Sequence, residues 1–222
     1  MELLAILLTL LVYLGVRRLS VRFPRVHPMI LSAVAIWFIW WLISGDFEVY
    51  AKGGQWITFW LGPATVALAY PVAKEWQQLT SMWRSVLVAV AFGTGVVMIS
   101  TWITMEMLQA DPVLTRSILS KSVTMPIAIE LSENIGGIPP LSALFTAITG
   151  IIGSVMMRPY LKALGITDDW AIGIAVGTSA HAIGTASLLR DSERQAAASS
   201  LAMILAGVIT SLYYIPLHLL LG

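Results

Sequence analysis

Lys121-Ser122-Val123-Thr124-Met125-Pro126-Ile127-Ala128-Ile129-Glu130 sets a lysine, two hydroxyls, a proline and a carboxylate inside a chain otherwise suited to hydrocarbon. Ionisable groups at membrane depth are costly, and they persist where they face a cavity, a partner or a substrate path. Downstream, Gly177-Thr178-Ser179-Ala180-His181-Ala182-Ile183-Gly184-Thr185 makes a second polar island in equally apolar surroundings. Each island carries a helix breaker. Two such islands point to a transport site rather than to plain structural spans.

Composition decides the solvent. The 222 residues are 58% hydrophobic and 11% charged, with a mean hydropathy of +0.84. Soluble domains carry about 25% charged residues, so this chain cannot cover a water-facing surface. The reading is an all-α, polytopic membrane bundle forming a single domain over 1–222. A net charge of +1 argues against nucleic acid as a partner. The absence of cysteine excludes disulfides, a thiol nucleophile and a thiolate metal site. No nucleotide loop, metal-ligand cluster or catalytic triad is present as a motif. The expectation is therefore a protein that is not an enzyme, with no cofactor and no metal.

A spanning helix needs about 20 mostly apolar residues. Stretches 29–45, 85–105, 141–157 and 196–221 meet that need, and 2–16 is a shorter first span. The run Leu3 to Val16 lacks a basic segment before it and a small-residue cleavage site after it, so it reads as a span and not a cleaved signal. Stretches 56–73, 116–137 and 168–190 are apolar but interrupted by Gly, Pro or hydroxyl residues. Broken helices occur in membranes where the freed backbone lines a cavity or is buried in protein. The interruptions suggest two repeats, about 1–108 and 109–222, the pattern of transporters with broken helices near the midplane.

Orientation follows from Lys and Arg. The segment 17–27, with Arg17, Arg18, Arg22 and Arg25, should be cytoplasmic. If 56–73 and 168–190 re-enter rather than cross, the halves become inverted, and Arg158, Lys162, Arg190 and Arg194 all fall inside. Trp37, Trp40, Trp41, Trp56 and Trp60 suit interfacial belts at span ends.

At the first island, Pro126 has no N–H and clashes with the preceding turn, so a helix should kink or break there. An ammonium at Lys121 with hydroxyls at Ser122 and Thr124 suits a small carboxylate; the alternative is a lysine that snorkels to an interface. Glu130 would pair with Lys121 in an empty site or carry a coupled proton. At the second, His181 titrates near physiological pH in its ordinary state, and Thr178, Ser179 and Thr185 can bond its ring or a ligand. A third break, Gly62-Pro63-Ala64-Thr65, adds Thr65 as a candidate contact. Pro63, Pro126, Gly136, Gly137, Gly177 and Gly184 are the candidate backbone breaks. Gly150, Gly153 and the GxxxG pair Gly173 and Gly177 also suit close helix packing.

These blocks resemble the CidB/LrgB family, most closely its YohK-like members. Ser120 to Ala128 is similar to the family's PKSVTTPIA, Ile135 to Pro139 to its IGGIP, and Gly177 to Ala186 to its GTASHALGTA. Gly62 to Pro71 and Ser199 to Met203 are similar to two more blocks, all in the same order. Three departures stand out: Ser120 for proline, Met125 for the second threonine, and Ser187 for a frequent arginine, for which Arg190, one turn later, is the candidate substitute. The resemblance implies crossed broken helices akin to elevator carriers, and a small LrgA-like membrane partner. It implies one of two functions: carriage of small monocarboxylates such as pyruvate, glycolate or glycerate, or antiholin-like control of murein hydrolase export and autolysis.

The expectation is a proton-coupled monocarboxylate carrier working as an oligomer with that partner in the bilayer. Lys121 would hold the carboxylate, with hydrogen bonds from Ser122, Thr124, Thr178, Ser179, Thr185 and Thr65. His181 and Glu130 would carry the proton. The rival is a holin-like assembly that leaks without saturation.

Overall fold

The computed structural model describes the chain apart from residues 24–27, 61, 62, 64, 65, 68, 190, 191 and 222, and apart from the side chains of 69, 71, 79 and 218–221. The chain forms two compact units, 1–67 and 68–222. Among the described residues the regular structure is helical, with no strand.

The first unit holds α1 (Glu2–Arg22), α2 (Pro28–Ile43) and α3 (Phe47–Phe59). At 21 residues α1 runs past the expected 2–16 and includes the first arginines. The 16 residues of α2 reach only about 24 Å at 1.5 Å per residue, shorter than a bilayer core. Asp46 caps α3 by accepting from the backbone of Glu48 and Val49. Gly53 allows α3 to lie on α1, since a Cβ there would stand 2.6 Å from the Glu2 carbonyl. Trp37, Trp41, Trp56 and Trp60 are exposed, as belt residues would be. Trp40 is not: it is fully buried, edge-on to Tyr50, and its indole N–H donates to the Asp46 carbonyl at 2.8 Å. Its polar atom finds a protein partner, so it serves packing and not the interface.

The second unit holds α4 (Ala69–Lys74), α5 (Trp76–Ser81), α6 (Trp83–Met107), α7 (Pro112–Ile118), α8 (Met125–Asn134), α9 (Pro139–Ala163), α10 (Asp169–Leu188) and α11 (Glu193–Leu221). The long helices α6, α9 and α11, like α1, have the length and apolarity of spans. On α6, Val86, Val90, Thr94, Met98, Thr101 and Met105 form one buried stripe at helical spacing. The remaining surface, with Phe92, Ile99 and Trp102, is exposed and apolar, the face a lipid-bound helix presents.

By length and composition α10 is also a candidate span, but its contacts show that it doubles back. A straight 20-residue helix would be about 30 Å long. Instead Ser192, just past its end, donates to the Asp169 carboxylate at its start at 3.3 Å, and Gln195 donates to the same carboxylate at 2.7 Å. A Cβ on Gly184 would stand 2.8 Å from Val176, eight residues earlier. The reversal falls at His181, with φ 41° and ψ −140°. Residues 168–189 are therefore a re-entrant hairpin of two half-helices.

The segment 112–138 is a second hairpin. Ser117, near its entry, accepts from the Ile138 N–H at 2.8 Å, near its exit. The chain leaves helix at Leu119 and resumes at Met125. Pro126 lies in the first turn of α8, where a missing N–H costs nothing. It starts a helix here instead of kinking one. The return ends on Gly136, φ +75°, with Gly137 N–H donating to Ser132 C=O and Gly136 N–H to Glu133 C=O. This double-bonded left-handed cap satisfies carbonyls that would otherwise be orphaned.

The first hairpin opens where α9 begins, the second where α9 ends, and α9 is 25 residues long. The two hairpins thus enter from opposite ends of the unit. Each is followed by a long helix, so the inverted pair lies within 112–221, hairpin and α9 against hairpin and α11. Arg158, Lys162 and Arg194 gather at the mouth of the second hairpin, and the Lys74–Glu193 ion pair (3.2 Å) places Lys74 there too. The positive-inside rule makes this end cytoplasmic. Arg190 lies outside the described residues.

Candidate functional site

The tip of the first hairpin is Ser120 to Thr124. The Lys121 ammonium donates to the hydroxyl of Thr101 on α6. That hydroxyl in turn donates to the Val97 carbonyl at 2.6 Å. Among the described residues no carboxylate pairs with Lys121. The expected Lys121–Glu130 pairing is absent: Glu130 is exposed on α8, pointing away from the buried face made by Ala128 and Leu131. Thr124 precedes α8 but makes no side-chain cap. Ser120, fully buried, donates to the Ala128 carbonyl at 3.0 Å and lies 3.0 Å from the Ser142 hydroxyl on α9. Ser142 also reaches the Ala128 carbonyl, at 2.9 Å. A proline at 120, the residue the family resemblance favours, could make none of these bonds.

The tip of the second hairpin is His181, 2% exposed. Its Nε2–H donates to the Thr146 carbonyl on α9 at 3.0 Å. That bond fixes the tautomer and leaves Nδ1 as the nitrogen that can exchange a proton. Gly150, one turn further along α9, makes room for the imidazole: a Cβ there would be 2.7 Å from His181 Cε1. A non-glycine residue at positive φ is uncommon and accumulates at functional sites. The Thr185 hydroxyl donates to the His181 carbonyl at 2.8 Å. Having one proton, it must accept from Ser199 of α11, also at 2.8 Å.

The two islands therefore converge on one helix. Ser142 ties down the first tip and Thr146 the second, and these residues are one turn apart on α9, about 6 Å along its axis. On α6 the order repeats, with Lys121 at Thr101 and Thr178 against Gly93. The hydroxyls of Thr178 and Ser179 are engaged by their own helix, donating to the Ile174 and Ala175 carbonyls at 2.7 and 2.6 Å. Ser122 is different: it is 1% exposed and its hydroxyl has no partner among the described residues. A buried hydroxyl left unbonded costs about 1–3 kcal/mol.

Gly177 and Gly184 are not where the backbone turns. A Cβ on Gly177 would stand 2.2 Å from the Ser199 carbonyl, and one on Gly184 2.6 Å from Ala180 Cβ, so both hold chain segments close. The turn itself falls on His181. Pro63 is exposed, and Thr65 lies outside the described residues. Sequence reasoning passed over Thr101, Ser142 and Thr146, and met Ser199 only as the first residue of a family block. Ser142, Thr146 and Gly150, at i, i+4 and i+8 on an apolar span, were the legible signal, a small polar stripe on one face.

The fold and site define a polytopic helical membrane protein built around two opposed re-entrant hairpins, a multi-pass protein of the plasma membrane. The LrgB-like family profile matches residues 9–220, and the chain belongs to that family. It is 36% identical to the Bacillus subtilis protein YxaC over 210 residues, covering 94% of this chain and 91% of that one. It is 30% identical to holin-like protein CidB of Staphylococcus aureus over 221 residues, covering 99% and 96%. Against holin-like protein CidB of Staphylococcus epidermidis the identity is 32% over 224 residues, covering 98% and 96%. No solved structure matches the chain.

Proposed function

We propose that this protein is a carrier of small monocarboxylates, of the pyruvate, glycolate or glycerate class, and not an enzyme. The observation that carries this reading is the meeting of two opposed hairpin tips on one face of α9, beside a lysine bonded to a hydroxyl and, among the described residues, to no carboxylate. A cation kept at depth without a counter-ion suits an anion that comes and goes. Lys121 takes the carboxylate charge, and Ser122 and Thr124 bond it from the first tip. Thr178, Ser179 and Thr185 serve the second tip, where their hydroxyls can still accept from the O–H of a hydroxy acid such as glycolate or glycerate. His181 carries the coupled proton on Nδ1. A small LrgA-like membrane protein works beside it, in an oligomer.

Uptake of labelled pyruvate, glycolate, glycerate and lactate into vesicles, with and without that partner, tests the reading. Saturable uptake of at least one acid supports it. The second reading, a holin-like assembly, is favoured by the names of the Staphylococcus relatives. It predicts leakage of unrelated solutes without saturation, and such leakage in place of uptake would overturn the carrier.

A further inference from the structure

Six buried hydroxyls have no hydrogen-bond partner among the described residues. Three lie on α11, and Ser132 lies in the α8–α9 cap against Gly137. The other two belong to the hairpin tips: Ser122 is in the first, and Thr146 receives the second through its own carbonyl. Thr146 departs from habit. Thr94, Thr101, Thr178 and Thr185 all donate to the carbonyl four residues back, the usual refuge of a helical threonine in an apolar setting. Thr146 is fully buried and does not.

We propose that Thr146 is a ligand-contacting residue, donating from α9 to one carboxylate oxygen while Ser122 donates from the first tip to the other. This rests on the carrier reading and assigns it a contact outside both sequence islands. A carboxylate offers about four lone-pair sites and no donor, so it can take a proton from each of two unengaged hydroxyls, while Lys121, next in the chain to Ser122, supplies the charge. Thr146 is also a positioning residue. Its backbone oxygen holds His181 Nε2–H, so one residue touches both the anion and the proton carrier. The anion then draws the opposed tips onto the same turn of α9.

The test is the concentration and pH dependence of pyruvate and glycolate uptake in vesicles holding the full chain and its partner. Thr146→Val keeps the shape and the carbonyl but removes the hydroxyl; it should raise KM about tenfold with little change in the pH profile. Thr146→Ser should restore the wild-type KM, and Ser122→Ala should raise KM to a similar extent. Membrane abundance is checked for each variant, and Thr146→Ala stands in should the valine variant fail to accumulate. Saturable wild-type uptake with unchanged KM in the Thr146 and Ser122 variants would overturn this contact and leave the carrier standing. No wild-type uptake of any acid in the panel overturns both.

Discussion

His181 sits where glycine would be easier. Its φ of 41° and ψ of −140° are strained for a residue with a Cβ, yet the imidazole is what reaches the Thr146 carbonyl. Backbone and ring can therefore be separated by substitution. His181→Gly should accumulate and melt at least as well as His181→Ala, because only glycine relieves the turn. Both should lose the pH dependence of uptake, because neither has a titrating ring. A pH profile identical to wild type in both would remove the proton role. Lys121 is simpler. With no carboxylate paired to it among the described residues, Lys121→Ala should fold, but uptake should fall to background. Wild-type uptake by that variant would sink the carboxylate assignment.

Between helices, small residues set the distances. In lipid, association relies on close van der Waals packing, since the tails are as apolar as the side chains. The α10–α11 crossing shows this: a Cβ on Gly173 would be 2.5 Å from the Gln195 carbonyl and one on Gly177 2.2 Å from that of Ser199. Backbone oxygens cannot swing aside as a side chain can. Gly177→Ala should cost about 1–3 kcal/mol, the range for overpacking, read as a lower melting temperature in detergent. Gly54→Ala on α3 is the control, since nothing lies within 4 Å of its Cβ; it should be neutral or gain up to about 1 kcal/mol from helix propensity. Equal melting of the two variants would argue against a close crossing.

For the molecule as a whole, the topology turns on 168–189 returning to the side it left. The chain has no cysteine, so single cysteines report topology directly. Asp168→Cys and Ser192→Cys should react with an impermeant thiol reagent from the same, cytoplasmic side. Gln109→Cys and Glu133→Cys, at the mouth of the other hairpin, should react from the opposite side. Opposite labelling of 168 and 192 would make α10 a true crossing and dissolve the inverted pair. Orientation then follows from the basic cluster at that mouth, with Arg158 donating to Gln195 and Gln195 to Asp169.

The membrane setting, the helical class, the family and the two polar islands were all legible in the sequence. Each rests on local composition or contiguous motif, and bilayer insertion depends on such local sums. Pro126 shows where local reasoning stops: the residue that ends one helix also begins another well, and spacing alone does not choose. The same holds for Gly177 and Gly184, read as breaks but used for close approach, while the turn fell on the histidine between them. Only tertiary structure decided that α10 folds back, that Ser142 and Thr146 join the two tips, and that Lys121 meets Thr101 and not Glu130. Those contacts join residues far apart in the chain, and whether they form depends on how hairpins entering from opposite ends share one helix face.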